Sequence, residues 1–206
     1  SGAEKTIILA DTHRGRPNRG GQSPAALRPL WQGASRLIFN GDTAELALPE
    51  FRVEAARQVL AIQQMCEEDG VEVTFLPGNH DPMISERRYL LLHGGRVFVT
   101  HGDALHPAIS PWTAHRGELR RFHDYTLDSL DRATARQLEA RLEAAGYASH
   151  LTWDDQHWHD DPGHHARRPS RFRSRAAHAV KIARVLWYWQ TLPQRAARFA
   201  RRFAPE

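Results

Sequence analysis

Four short apolar runs, each five or six residues long, stand out in the first half of the chain. Runs of this length, bounded by turn residues, predict buried β-strands. They cover residues 5–10, 36–40, 71–76 and 96–100. Between the second and third runs, the apolar residues instead recur at helical spacing from Pro49 to Gly70. This spacing predicts one long helix that ends at a glycine cap.

Shorter helical segments are expected between the other strands. Ser23 and Pro24 suit the start of a short helix, which Pro29 limits in length. A second helical piece is expected over residues 85–92, before a Gly-Gly turn. Strands that alternate with helices imply βαβ units and a largely parallel sheet, in which ligands bind outside the carboxyl ends of the strands.

The second half of the chain changes to helical spacing. Apolar residues on charged segments predict two amphipathic helices over residues 112–146, which would form a cap or side layer. Residues 150–169 are polar, rich in His and Asp and without clear periodicity, so a loop is expected there. A last helix, interrupted by Pro193, is expected over residues 174–203.

These elements predict one α/β domain in a chain of 206 residues. Strands flanked by helices form its core over residues 3–110, and a helical cap or insertion with a basic C-terminal helical segment follows over residues 111–206. The single cysteine, Cys66, excludes an internal disulfide and favours a reducing, cytoplasmic compartment. No apolar run is long enough to cross a bilayer.

Charge is distributed unevenly along the chain. The formal net charge is +4, but residues 167–206 hold eleven Lys and Arg against one acid, and 17 bases and 23 acids precede them. A segregated basic segment favours an anionic partner: a phosphate-rich ligand, a membrane surface or nucleic acid. The Trp residues and Arg-rich flanks of the last helix suit a peripheral position on the inner face of a membrane. Packing of this helix against its own domain is the simpler interpretation.

Each apolar run is followed by residues that can bind a metal. In chain order these are Asp11-Thr12-His13, Gly41-Asp42, Gly78-Asn79-His80-Asp81 and His101-Gly102-Asp103. Carboxylate, imidazole and amide groups suit Mn²⁺, Fe, Zn²⁺ or Mg²⁺. Such a set can hold two ions if one carboxylate bridges them, and Asp42, from the middle of the set, is the natural bridge. Two ions about 3.5–4 Å apart can activate water and stabilise both oxygens of a phosphoryl displacement.

The order, spacing and strand context of these motifs resemble the calcineurin-like metallophosphoesterase family, over roughly the first half of the chain. The resemblance implies a layered metallophosphoesterase fold with two divalent metal ions. It places Asp11, His13 and Asp42 on one metal, and Asp42, Asn79 and His101 on the other. Mn²⁺ is the first expectation, with Fe, Zn²⁺ and Mg²⁺ as alternatives.

The resemblance also implies the chemistry of a hydrolase. A metal-bound hydroxide would attack the phosphorus of a phosphoester or pyrophosphate, and His80 would serve as acid or charge stabiliser near the leaving group. Asp81 would orient His80. Two other hypotheses stay open: a nuclease or phosphodiesterase acting on nucleic acid or nucleotides, and a non-catalytic scaffold with an incomplete metal site.

One element of the family pattern has no clean copy in this chain. The family has a late strand that ends in Gly-His-x-His and completes both metal shells. His157-Trp158-His159 has the alternation without the glycine or the strand, whereas Gly163-His164-His165 has the glycine with a different spacing. We expect the final strand to lie beyond Glu206, rather than loop histidines to replace it.

A closer resemblance, to the UDP-diacylglucosamine pyrophosphohydrolase-like branch of the family, rests on three features. These are the His101-Gly102-Asp103 motif, the inserted helices and the basic, Trp-rich end. The branch implies an amphiphilic substrate, a lipid-linked or nucleotide-sugar-lipid phosphoester, and a peripheral place on a membrane. It typically has Arg where His80 stands, and His is commoner in generic phosphodiesterases and phosphatases of this fold.

Overall fold

The structure of the chain is a computed structural model that describes residues 4–16, 23–159 and 171–203, with the backbone alone for 153–159 and 171–177. The chain divides into two compact units, which are called here the N-terminal unit, residues 1–101, and the C-terminal unit, residues 102–206.

Three parallel strands form the main sheet of the N-terminal unit. They are β1 (Thr6–Leu9), β2 (Arg36–Asn40) and β3 (Glu72–Leu76), with β2 in the middle of the order β1-β2-β3. In register, Leu37 of β2 lies opposite Ile7 of β1 and Val73 of β3. The predicted parallel α/β arrangement is confirmed for these strands, and their carboxyl ends lie at one edge of the sheet.

Helices cover this sheet, and their apolar side chains pack against those of its strands. A 3-10 helix, Pro24–Trp31, begins at the Ser23 cap and tolerates Pro29, and α1 spans Pro49–Glu68. Gly70 follows α1 in the left-handed region, with φ 67°. The buried cluster between helices and sheet consists of Trp31, Leu37, Phe39, Ile62, Cys66 and Val71. Burying each large side chain of this kind contributes about 1.5–3 kcal/mol.

The fourth apolar run belongs to a hairpin rather than to the parallel sheet. Strands β4 (Leu90–Leu92) and β5 (Val97–Val99) pair antiparallel, so the helix predicted over residues 85–92 is wrong. Gly94 and Gly95, with φ of 67° and 86°, turn the chain between the two strands. Leu90 and Leu92 pack against the cluster of Ile38, Leu76 and Val99. This tertiary packing outweighs the helical preference of leucine.

The C-terminal unit is helical among its described residues. Helix α2 (Arg116–Asp128) packs against α3 (Leu138–His159), as predicted for two amphipathic helices. Their shared core is small: Ile109, Leu119, Ala145 and Ala148. The predicted loop over residues 150–169 is wrong as far as His159, because α3 continues to that residue. Residues 160–170 lie outside the described residues.

Helix α4 spans Arg171–Phe203 and includes Pro193, so the predicted interruption at this proline is wrong. One face of α4 is anchored by Tyr188, which is 7% exposed and packs against the rings of Trp112 and His106. Another face, called here the α4 apolar face, consists of Ile182, Leu186 and Trp189, which are 47%, 58% and 66% exposed. Among the described helices, none has the length and apolar character needed to cross a membrane.

Candidate metal centre

The chain segments that follow β1 and β2 remain hydrogen-bonded beyond the ends of the strands. The N–H of His13 donates to the carbonyl of Asp42 at 2.9 Å, and the N–H of Arg14 donates to the carbonyl of Thr43 at 2.9 Å. Asp11, His13 and Asp42 have positive φ angles of 54°, 43° and 49°. Backbone conformations of this kind cost about 1–3 kcal/mol each in non-glycine residues. The strain is therefore concentrated where three predicted metal ligands lie.

Asp81 connects the loop after β2 to the loop after β3. Its Oδ1 accepts from the N–H groups of Gly78 at 2.7 Å and Asp42 at 3.0 Å, and its Oδ2 accepts from those of Thr43 at 2.6 Å and Ala44 at 3.2 Å. Burial and the nearby Asp42 carboxylate raise the pKa of Asp81 to about 6, while the backbone N–H groups act to lower it. This fully buried carboxylate therefore holds the two loops together.

Two glycines allow these loops to approach each other. Gly41 has φ 79°, and a Cβ at this position would overlap the His101 ring. A Cβ at Gly78 would overlap the carboxylate of Asp42. Glycine is thus required in the Gly41-Asp42 and Gly78-Asn79 motifs by the close approach of a side chain.

His101 is held in one orientation by the backbone of β2. Its Nδ1 lies 3.0 Å from the carbonyl oxygen of Asn40, and since a carbonyl only accepts, Nδ1 carries the hydrogen. Nε2 of His101 lies 3.5 Å from Oδ1 of Asp42. A backbone acceptor at one ring nitrogen is the usual way in which a metal-binding histidine is oriented.

Glu45, for which the sequence analysis predicts no role, bonds to two histidines of the site. Its Oε1 lies 3.1 Å from Nδ1 of His13, and its Oε2 lies 2.8 Å from Nδ1 of His80. The Glu45 side chain is 0% exposed. The rings of His13 and His80 meet edge to face with centroids 4.7 Å apart, and Nε2 of His13 lies 3.9 Å from Oδ2 of Asp42.

The hydrogen bonds of Glu45 determine the charges of this cluster. Burial alone would raise the pKa of the Glu45 carboxyl, but the hydrogen bonds and charges of His13 and His80 outweigh burial and hold this pKa far below its usual value. In return, the hydrogen bond to Glu45 raises the pKa of His13 against the opposing effect of burial. Glu45 is therefore ionised at neutral pH and accepts from both imidazoles.

This geometry corrects the partner that the sequence assigned to His80. The carboxylate bonded to its ring is Glu45, whereas both oxygens of Asp81 accept from backbone N–H groups. The available signal for Glu45 was an acidic residue within the otherwise apolar segment Ala44-Glu45-Leu46-Ala47. We refer below to the strand-end site as the set Asp11, His13, Asp42, Glu45, Asn79, His80, Asp81 and His101.

Two groups of potential ligands form within this site. One consists of His13, Asp42 and His80, the other of Asp11, Asp42 and His101, and in each group the ligand atoms lie within 4.8 Å of one another. The groups differ from the implied ligand sets, because His80 joins His13 in one group and Asp11 joins His101 in the other. Asp42 belongs to both groups, as a bridging carboxylate must.

Divalent metal ions fit this donor set. Imidazole and carboxylate donors converge, and the Nδ1 atoms of His13 and His101 are engaged by oxygen acceptors, so that each Nε2 can bind a metal. Asn79 follows Gly78, which packs against Asp42, and precedes His80. The role of Asn79 as a metal ligand stays a prediction.

The described residues do not show either late histidine motif in this site. His157 and His159 lie in α3, where the structure describes only their backbone. His164 and His165 lie outside the described ranges. No strand follows β5 in the described part of the chain, so a final strand beyond Glu206 stays a prediction.

A parallel α/β sheet with an Asp- and His-rich cluster at its carboxyl edge defines a class of metal-dependent enzyme sites. The family model of the calcineurin-like phosphoesterases matches residues 4–186, and the chain belongs to this family. Membership implies hydrolase activity on phosphoesters and binding of divalent metals. The match extends past the first half of the chain, where the motifs lie, into α4. No curated protein and no solved structure matches the chain.

Proposed function

We propose that the protein hydrolyses a phosphoester or pyrophosphate bond with two divalent metal ions. The ligands would be Asp11, His13, Asp42, Asn79 and His101. The observation that carries the proposal is the position of Asp42, which is 4% exposed and shared by both groups of potential ligands. Mn²⁺ is the ion that we favour. When bound, the ions would activate water as Lewis acids and neutralise charge on the phosphoryl group.

His80 would assist the departure of the leaving oxygen. Its Nδ1 donates to Glu45, which fixes the orientation of the ring, and Nε2 would be the atom that donates to the leaving oxygen of the substrate. A positioned acid of this kind contributes about 10²- to 10⁴-fold to a rate. The residues of this chain therefore supply orientation and a proton, in addition to holding the metals.

The first test is the metal content of the purified chain, measured by elemental analysis, together with Mn²⁺-dependent hydrolysis of bis(p-nitrophenyl) phosphate. We expect close to two metals per chain, with activity. Asp42→Ala should lose both the metals and the activity, whereas His80→Ala should keep the metals and lose about 10²- to 10⁴-fold in kcat. His115→Ala is the control, because it removes an imidazole–carboxylate pair outside the site.

Two outcomes would overturn the proposal. Near-normal hydrolysis by Asp42→Ala would mean that the reaction does not use this site. One metal or none, without activity, would favour the non-catalytic scaffold with an incomplete metal site.

We further propose that α4 binds the surface of an anionic bilayer, where the enzyme meets an amphiphilic phosphoester. The α4 apolar face repeats at intervals of four and three residues, which places its three large side chains on one side of the helix. Helix α4 contains no Asp or Glu and nine Lys and Arg. A helix with exposed Trp and Leu between basic residues has the chemistry of an interfacial membrane helix.

The membrane proposal is tested by co-flotation of the purified chain with vesicles of phosphatidylglycerol and phosphatidylcholine. We expect binding to these vesicles, at least tenfold weaker binding in the double variant Leu186→Glu/Trp189→Glu, and weak binding to pure phosphatidylcholine. Val53→Glu is the matched control, because Val53 is 64% exposed on α1. Tighter binding to a single-stranded oligonucleotide than to anionic vesicles would replace the lipid proposal with a nucleic-acid substrate.

A further inference from the structure

We propose that the C-terminal unit holds a binding site for a phosphomonoester group, at the junction of α2 and α3. The site is a hollow of about 520 Å³, called here the α2–α3 hollow, lined by Arg132, Arg136 and Arg141 together with acidic and apolar residues. Sites for small ligands have volumes of about 300–1,000 Å³. The hollow shares no residue with the strand-end site, and the proposal does not depend on the proposed function.

The connection between α2 and α3 brings the three arginines together. Asp131 stabilises the turn after α2, because its Oδ1 accepts from the N–H groups of Ala133 at 2.8 Å and Thr134 at 3.1 Å. Arg132 and Arg136 lie on this connection, and the next helix, α3, begins at residue 138. The packing of α2 against α3 fixes where the connection lies.

The guanidinium groups of the hollow lack the carboxylate partners that other arginines of the chain have. Arg28, for comparison, binds Asp69 through two nitrogens at 2.6 and 2.9 Å. Among the residues that the structure describes, Arg132, Arg136 and Arg141 form no ion pair. The Nε of Arg141 is buried and has no hydrogen-bond partner there. Donors are therefore left for a ligand.

The surroundings of Arg141 are unfavourable for a cation. Burial and the positive charge of Arg202, on α4, both lower the pKa of the Arg141 guanidinium. Arginine nevertheless keeps its charge at neutral pH. A buried donor without an acceptor and a cation near a second cation both cost free energy, which a bound anion would offset.

Two carboxylates also line the hollow, but one of them is already paired. Oδ2 of Asp124 lies 3.3 Å from Nε of Arg120, and its Oδ1 lies 3.1 Å from Nδ1 of His123. Asp128 forms no ion pair in the part of the chain that the structure describes. Three guanidinium charges against the single charge of Asp128 leave an excess of two positive charges.

A phosphomonoester matches this excess of charge. It carries about 1.5–2 negative charges at neutral pH and offers three strong acceptor oxygens. Guanidinium groups bind such oxygens through paired, charge-assisted hydrogen bonds. Leu127 and Leu130 provide apolar contact for the part of the ligand that bears the phosphate. This chemistry is shared by soluble phosphomonoesters and by the head group of phosphatidic acid.

The test is titration calorimetry of the full chain with inorganic phosphate, in EDTA so that no metal ion binds phosphate at the strand-end site. We expect saturable binding that weakens with added NaCl. The double variant Arg132→Gln/Arg136→Gln, and separately Arg141→Gln, should bind at least tenfold more weakly. Arg116→Gln is the control, because Arg116 is exposed at the first residue of α2, and it should bind as the wild type does.

Asp128→Asn tests the sign of the charge effect. Removing the carboxylate that opposes the anion should tighten phosphate binding about two- to fivefold, as expected for a charge interaction near the surface. A residue with only a structural role would not raise the affinity when replaced. Unchanged or weaker binding by a folded Asp128→Asn chain would contradict the charge balance on which the proposal rests.

Co-flotation in EDTA distinguishes the two sources of the phosphate group. Vesicles of phosphatidylcholine with phosphatidic acid are compared with vesicles that carry an equal charge as phosphatidylglycerol. A preference for phosphatidic acid that Arg132→Gln/Arg136→Gln lacks supports the site and assigns it to a lipid head group. Phosphate binding without this preference supports the site and assigns it to a soluble phosphomonoester.

Two results overturn the proposal. One is a wild-type chain that does not bind phosphate saturably, and the other is equal binding by the wild type and the arginine variants. Circular dichroism checks the fold of each variant, and the exposed positions of Arg132 and Arg136 keep the test valid if Arg141→Gln does not fold. Either result leaves the proposed phosphoesterase activity intact, since metal content and turnover test that activity.

Discussion

Charged side chains are buried at the strand-end site, whereas large apolar side chains are exposed along α4. Asp42, Glu45 and Asp81 are each at most 4% exposed, while Leu186 and Trp189 of the α4 apolar face are more than half exposed. Buried polar groups and exposed large apolar groups are the two departures from ordinary burial that carry information. The strand-end site and the α4 apolar face depart from the rule in opposite directions, and the partners proposed above, metal ions for one and a lipid surface for the other, differ accordingly.

The two regions also differ in how far stability depends on them. Every carboxylate of the buried set has hydrogen-bond or ion-pair partners, so removing one leaves its partners without an acceptor. The side chains of the α4 apolar face are 47–66% exposed, so changing them should cost little stability. Four substitutions or conditions test this contrast.

The largest effect is expected for Asp81→Ala. Four buried backbone N–H groups lose their acceptor, which should lower the free energy of unfolding by about 3–5 kcal/mol and abolish hydrolysis. The measurement is urea unfolding followed by circular dichroism. Asp131→Ala is the matched control, since Asp131 accepts from the N–H groups of Ala133 and Thr134 in an exposed turn. If both variants lost the same free energy of unfolding, burial of the Asp81 carboxylate would not be the reason for its effect.

Tyr188→Ala should have the next largest effect. The Tyr188 ring, 7% exposed, lies 5.1 Å from the Trp112 ring between centroids, so its removal leaves a cavity under α4. We expect a loss of about 2–4 kcal/mol from the C-terminal unit, measured by denaturant unfolding. Trp189→Ala, one residue further along and 66% exposed, should cost far less. Similar losses from the two variants would remove the distinction between the two faces of α4.

A smaller effect should appear with pH, through His106. Burial, with the charges of Arg195, Arg120 and His123, lowers the pKa of His106 to about 4, and its Nδ1 accepts from the N–H of Ala108 at 2.9 Å. The unfolded chain therefore binds this proton first as the pH falls below about 6.5, so the stability of the folded state falls with it. We expect a loss of about 1–2 kcal/mol between pH 7 and pH 5.

The control for this pH dependence is His106→Asn, which keeps an acceptor for the Ala108 N–H and removes the titrating group. The variant should lose less stability than the wild type between pH 7 and pH 5, as measured by unfolding at both values. An unchanged slope would assign the acid sensitivity to other groups.

The smallest effect is expected for Leu186→Glu. Because Leu186 is 58% exposed, its replacement should change the free energy of unfolding by no more than about 0.5 kcal/mol. Thermal unfolding of the lipid-free protein is the measurement. A loss well above 1 kcal/mol would show that the α4 apolar face is covered in solution, and the contrast between the two regions would fail.

The main sheet and its helix could be predicted from the sequence because they depend on local patterns. The apolar runs of β1, β2 and β3 and the helical spacing of α1 were sufficient. The run Leu90-Leu91-Leu92 was predicted as a helix because leucine favours helices. It forms a strand because it pairs with β5, and a local pattern does not show that pairing. The polar residues at the end of α3 led to a loop prediction for a related reason. They have no apolar periodicity of their own, but they continue a helix that is packed further upstream.

The site was predictable only where its residues follow strands. Asp11 and Asp42 follow the runs of β1 and β2, and parallel topology brings such residues to one edge of the sheet. His101 follows the run of β5, which lies in the antiparallel hairpin. Glu45 bonds with residues 32 and 35 positions away, between loops whose mutual approach no local pattern describes. Its role, and the backbone partners of Asp81, therefore required coordinates.

The four hydrogen bonds of Asp81 also have a kinetic consequence. The amide hydrogens of Asp42, Thr43, Ala44 and Gly78 share one acceptor side chain across two loops. Separating the loops exposes all four to solvent in a single opening event, so they should exchange with deuterium as one cooperative set. The rate common to these four amides would then report how often the edge proposed to bind the metals opens.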